Sequence, residues 1–113
     1  MDNTSPNSEF NYEIELPRDV QLAREFFAAP IGHHSPNLQR LLRAMRSGPV
    51  NGKYALLMTK PGREWTLIRC SGQVGVSPAI YWDNIFLSIE DAEREVFRLR
   101  WKELTGRELN LLT

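Results

Sequence analysis

Cysteine is nearly missing from this chain: Cys70 stands alone, which rules out a disulfide within the chain and fits a reducing compartment. Long apolar runs are missing too. None approaches the ~20 residues that a membrane helix needs. The opening residues, MDNTSPNSEF, carry neither the basic start nor the apolar stretch of a secretory leader. The expected location is the cytoplasm. An excess of charge is also absent, with 14 basic side chains against 14 acidic ones. That balance argues against anionic membrane or nucleic acid as the main partner. The sequence holds no GxSxG, no phosphate-cradling P-loop, no HExxH and no GxGxxG, which lowers the expectation of independent catalysis.

What is present suffices for one small domain. The 113 residues are 42% hydrophobic, enough for a useful core. The most legible stretch is Leu87 to Gly106, a helix that the rest of the chain is expected to pack against. Ser88 is placed to cap it, with Asp91 at the capping-box position and Leu87 and Ala92 spaced for a hydrophobic staple. Acids cluster in its first turns and Arg98, Arg100 and Lys102 in the later ones, as the helix dipole favours. Ile89, Ala92, Val96 and Leu99 recur at helical spacing, with Phe97, Trp101 and Leu104 beside them, so the apolar arc is wide enough to bury two surfaces. Gly106 supplies the left-handed stop.

Residues 1–16 read as a flexible or docking arm ahead of a single α+β domain over 17–113. Phe10, Tyr12, Ile14 and Leu16 alternate with polar residues, an extended pattern suited to a neighbour's surface. Asp19 to Ala29 predicts a short helix stopped by Pro30. Ser35 then caps a second helix with Pro36 in its first position, and Leu38, Leu41, Leu42 and Met45 form its apolar stripe before Ser47-Gly48-Pro49 ends it. Its other side carries Arg40, Arg43 and Arg46. Three strands follow, over Lys53–Thr59, Glu64–Cys70 and Ala79–Phe86, the first two joined by Lys60-Pro61-Gly62-Arg63 and the third interrupted at Asp83-Asn84 by a bulge or turn. The expected architecture is two N-terminal helices, a three-stranded antiparallel sheet and a C-terminal amphipathic helix packed on it.

Candidate chemistry is sparse. His33 and His34 lack an acidic or thiol neighbour at ligand spacing, so a polar loop before a helix is a better reading than a metal site. Cys70 has no CxxC partner and no base placed by sequence, which favours a half-buried structural thiol over a nucleophile. Neither a catalytic residue nor a metal or cofactor ligand is therefore assigned. The arginine ridge and Trp65, Tyr81 and Trp82 are the residue types of phosphate contacts and base-stacking platforms, yet zero net charge disfavours nucleic acid. Arg, Trp and Tyr also dominate protein interfaces, and a surface for another protein is the stronger reading.

Several short motifs in a fixed order carry a family resemblance. His33 to Arg40 (HHSPNLQR), Gly52-Lys53-Tyr54, Arg63-Glu64-Trp65 with Arg69, and Glu90-Asp91-Ala92 leading to Val96-Phe97-Arg98-Leu99-Arg100 look like the small (light) subunit of N,N-dimethylformamidase. The likeness covers about Phe27 to Arg100. Outside it, an Asn/Ser-rich tail replaces the family's charged N-terminal extension, and the C-terminus differs. The resemblance implies a subunit without a catalytic centre, in a hetero-oligomer whose large hydrolase subunit carries an iron site and cleaves the amide of a small formamide. Arg40, Arg43, Tyr54, Trp65 and Arg69 are the expected partner contacts, with Phe10 and Tyr12 on the arm, and the lone chain is expected to expose apolar surface and self-associate. The rival reading is a stand-alone module that holds an anionic ligand or nucleic acid on the arginine face and the sheet.

Overall fold

The computed structural model describes residues 16–47 and 52–111. The elements run α1 (Leu16–Ala28), α2 (Pro36–Arg46), β1 (Tyr54–Lys60), β2 (Glu64–Arg69), β3 (Ala79–Phe86) and α3 (Ile89–Thr105). This is the expected α+β order. The described chain gathers into two compact units, one of residues up to 47 with 109–111 and one of residues 52–108. The arm's Phe10 and Tyr12 lie outside the described residues.

In the first unit, α1 runs Leu16–Ala28, beginning earlier than the expected Asp19. Pro17 does not obstruct this start, because a first-turn residue has no intrahelical amide bond to lose. Asp19 is fully buried, and Arg18 bonds both its carboxylate oxygens, at 3.1 and 3.0 Å. α2 follows the sequence closely. Ser35 is extended, its hydroxyl accepts from the Leu38 amide at 3.2 Å, and Pro36 opens the helix. Leu38, Leu41, Leu42 and Met45 are all buried. Residues 109–111 belong to this unit, where Arg24 Nε and Nη2 donate to the Leu111 carbonyl at 3.3 and 3.0 Å.

The second unit is an antiparallel sheet in the order β1-β2-β3 with α3 against all three strands. Arg63 N donates to Lys60 O at 2.9 Å and Gly62 has φ 67°. Pro at the second position and a positive-φ glycine at the third are what a type II turn demands. The interruption expected at Asp83-Asn84 is a bulge. Thr66 pairs with Ile85 and Leu67 with Tyr81, so Trp82, Asp83 and Asn84 have no counterpart on β2. Thr66 is fully buried there, and its hydroxyl lies 2.7 Å from the Tyr81 carbonyl and 3.1 Å from that of Asn84.

α3 is capped as its sequence indicates, with Asp91 N donating to Ser88 Oγ at 3.1 Å and Gly106 at φ 76°. Ala92, Val96, Phe97 and Trp101 are buried, and the last two rings stack with centroids 6.2 Å apart. Three details differ from expectation. The Asp91 carboxylate pairs with Arg94 at 2.8 Å, being shorter than the Glu or Gln that reaches back in a full capping box. Leu87 is 78% exposed and staples nothing, while Leu104 is also exposed, so the buried arc narrows toward the C-terminal end. No helix among the described residues is long and apolar enough to cross a membrane.

Candidate functional site

Two of the motif groups that stand out in the sequence are structural clamps. In the first unit, the Glu25 carboxylate accepts from both the backbone amide and the hydroxyl of Ser35, each at 2.7 Å. These bonds hold the Glu25 carboxyl below its ordinary pKa, the hydroxyl contributing most and the amide next. His34 lies with its ring 5.6 Å from that of Phe26 and Nε2 3.0 Å from the Ala29 carbonyl. Gln39 Nε2 donates to the His34 carbonyl at 2.8 Å. The stretch HHSPNLQR therefore fixes the turn between α1 and α2. His33 is exposed.

In the second unit, Gly52-Lys53-Tyr54 and Arg69 meet at one end of the sheet. Gly52 N donates to Cys70 O at 2.7 Å and Cys70 N to Lys53 O at 2.8 Å, extending the β1–β2 ladder past the strand ends. Arg69 donates through Nε to Gly52 O at 2.8 Å, pairs through Nη2 with Glu103 at 3.0 Å, and lies 4.8 Å over the Tyr54 ring. Arg100 Nη2 donates to Tyr54 O at 2.9 Å. The sheet end is thereby tied to α3 by two arginines running in opposite directions. Burial, reinforced by the Arg100 charge, pushes the Lys53 ammonium below its ordinary pKa. Cys70 is half-buried beside this clamp.

The expected contact residues thus have different circumstances. Trp65 is buried within the second unit. Tyr54 and Arg69 are half-buried and engaged as above. Arg40 and Arg43 are exposed on α2, three residues apart. No group of three or more His, Cys, Asp or Glu gathers at metal-binding distance among the described residues. His33 and His34 belong to the first unit and Cys70 to the second.

Sequence reasoning missed Glu25, Arg100 and Glu103 as members of these clamps. Glu25 and Ser35 are ten residues apart across a turn, a spacing that no helix or strand period flags. Arg100 and Glu103 read as ordinary polar positions on a helix. Sequence names Trp82 only as one aromatic among three and Leu87 only as a staple, and does not show that Trp82 is 62% exposed in the bulge and Leu87 78% exposed before α3.

Residues 10–110 match the family model of the N,N-dimethylformamidase alpha subunit, and the chain belongs to that family. The match extends past the 27–100 stretch that carries the short motifs, toward both ends. No curated protein matches the chain.

Proposed function

We propose that this member of the N,N-dimethylformamidase alpha-subunit family is the non-catalytic accessory subunit of an amidohydrolase complex. It covers and steadies a large chain that carries the iron and cleaves the amide C–N bond. In this reading the chain itself supplies no metal ligand and no nucleophile. Its contribution is surface.

The observation that carries the reading is the apolar surface left open on the second unit. Trp82 in the β3 bulge and Leu87 just past the end of β3 are exposed, as are Tyr81 and Ile85 on β3 and Met58 on β1. Several large apolar side chains left open on one small unit point to a binding face. A tryptophan on a bulge, flanked by the Tyr81 and Asn84 carbonyls that face the buried Thr66 hydroxyl, is a residue of the type that dominates interfaces. Arg40 and Arg43 on α2 supply the guanidinium part of the expected surface.

The test is reconstitution. The large chain alone, this chain alone and the two mixed are assayed for hydrolysis of a small N-alkylated formamide. The reading expects activity, or activity that survives warming, only in the mixture. Equal activity and equal stability of the large chain with and without its companion would remove it.

The rival stand-alone module draws on the same two arginines. It expects the lone chain to bind a mixed-sequence oligonucleotide with an affinity that falls steeply as salt rises.

A further inference from the structure

A cleft of about 490 Å³ opens in the first unit beside the turn from α1 to α2. Its walls combine apolar Ile31 and Leu42 with polar His34, Gln39, Arg43 and Arg46. Arg40 lies one turn before Arg43 on the same helix. The surrounding sequence has an unusual distribution of charge. No Asp or Glu occurs between Glu25 and Glu64, although the whole chain is neutral. Glu25, whose carboxylate reaches this turn, is occupied by the amide and hydroxyl of Ser35.

Other arginines of the chain are paired, Arg18 with Asp19 in this same unit. Arg94 pairs with Asp91, Arg98 with Glu95 and Glu108, and Arg69 with Glu103. Arg40 and Arg43 meet no carboxylate among the described residues. Guanidinium groups on an exposed helix face can remain solvated, but here Arg43 borders a concave site with an apolar wall. Such a site binds best a ligand that is itself acidic and apolar together, because a planar fork takes a carboxylate bidentately while the adjacent hydrocarbon displaces water from the wall.

We infer that this cleft is a docking site for an acidic, apolar-flanked segment of the large subunit: a carboxylate pairs with Arg43 and Arg40, and a neighbouring apolar side chain enters beside Ile31 and Leu42. The inference rests on the accessory-subunit reading and specifies which partner chemistry meets which surface. His34 and Gln39 are held by the turn, His34 against the Ala29 carbonyl and Gln39 to the His34 carbonyl, so the wall they form exists before the partner arrives. A pre-formed wall lowers the ordering cost of binding.

The experiment titrates the complete chain against its cognate large subunit, comparing wild type with R40E/R43E, R43K and I31S. Circular dichroism checks that each variant keeps its helices; all three positions are exposed. The double charge reversal is expected to weaken the complex by roughly 30-fold or more, with R43K weakened less because charge is kept and the fork is lost. I31S is expected to weaken it without changing its salt dependence. Wild-type affinity in R40E/R43E, with wild type itself binding the large subunit, would overturn the cleft assignment and leave the accessory reading standing. Failure of wild type to bind would overturn both. An unchanged complex together with loss of binding to a mixed-sequence oligonucleotide in R40E/R43E would assign the arginines to nucleic acid and overturn the inference.

Discussion

Glu25 holds Ser35 by two hydrogen bonds of 2.7 Å, one to the amide and one to the hydroxyl, while that same hydroxyl accepts from the Leu38 amide at the start of α2. One carboxylate on α1 therefore fixes the cap of α2. Removing it is expected to loosen the first unit, and E25A should cost about 1–2 kcal/mol, since bonds to a charged acceptor exceed neutral ones and the site is partly solvated. Urea unfolding followed by circular dichroism measures it. E25Q, which keeps one acceptor oxygen, should cost less.

The same clamp sets a pH dependence. The Glu25 carboxyl titrates lower in the folded chain than in the unfolded one, because Ser35 donates to its charged form. Its stabilisation is thus fully present above the unfolded-state value of about 4.3 and is lost as pH falls through the lower folded value. Wild type should lose stability across that acid window more steeply than E25Q. Parallel acid titrations of the two chains would show no difference in slope if the clamp were absent.

Thr66 tests the bulge on β3. Its buried hydroxyl has one proton to share between two carbonyls, so T66V should deprive them of it and cost about 1–3 kcal/mol, whereas T66S should recover most of that. Thermal unfolding distinguishes them. A wild-type melting temperature for T66V would mean that the bulge carbonyls have another donor.

Gly106 tests the end of α3. Its φ of 76° disfavours any residue with a Cβ, although the space around it is open. G106A should therefore cost about 1 kcal/mol through backbone strain alone. Asn at the same position should be tolerated better, as it visits the left-handed region more readily. Denaturant midpoints of the two variants provide the comparison.

The exposed side chains around the β3 end yield a prediction about association. Trp82→Ser and Leu87→Ser should leave folding intact, reduce self-association of the lone chain, and weaken binding to the large subunit by roughly 10–100-fold each. Sedimentation and a binding titration read the two effects. Unaltered binding in both variants would relocate the interface.

Much of this fold could be read directly. Ser35-Pro36, Ser88 and Gly106 mark helix ends through local chemistry that needs no tertiary context, and β3 spans Ala79–Phe86 as its composition suggests. Pro61-Gly62 fits a tight turn for the same reason. The start of α1 was less legible, because a first-turn proline and a buried acid both resemble a boundary. The clamps were not legible, since Glu25 to Ser35 and Arg100 to Tyr54 are contacts that only the folded path creates. Trp65 and Trp82 show the remaining difficulty. Both are tryptophans in strands, yet one is buried and the other exposed, and the bulge that separates their fates leaves no period in the sequence.

The central claim is that this chain is completed by a second, larger one, and native mass spectrometry of an equimolar mixture with the cognate large subunit tests it most directly. The account predicts a hetero-oligomer of fixed stoichiometry, lost when Arg40 and Arg43 or Trp82 and Leu87 are replaced. A small chain that stays monomeric beside a large subunit hydrolysing its amide at full rate would contradict it.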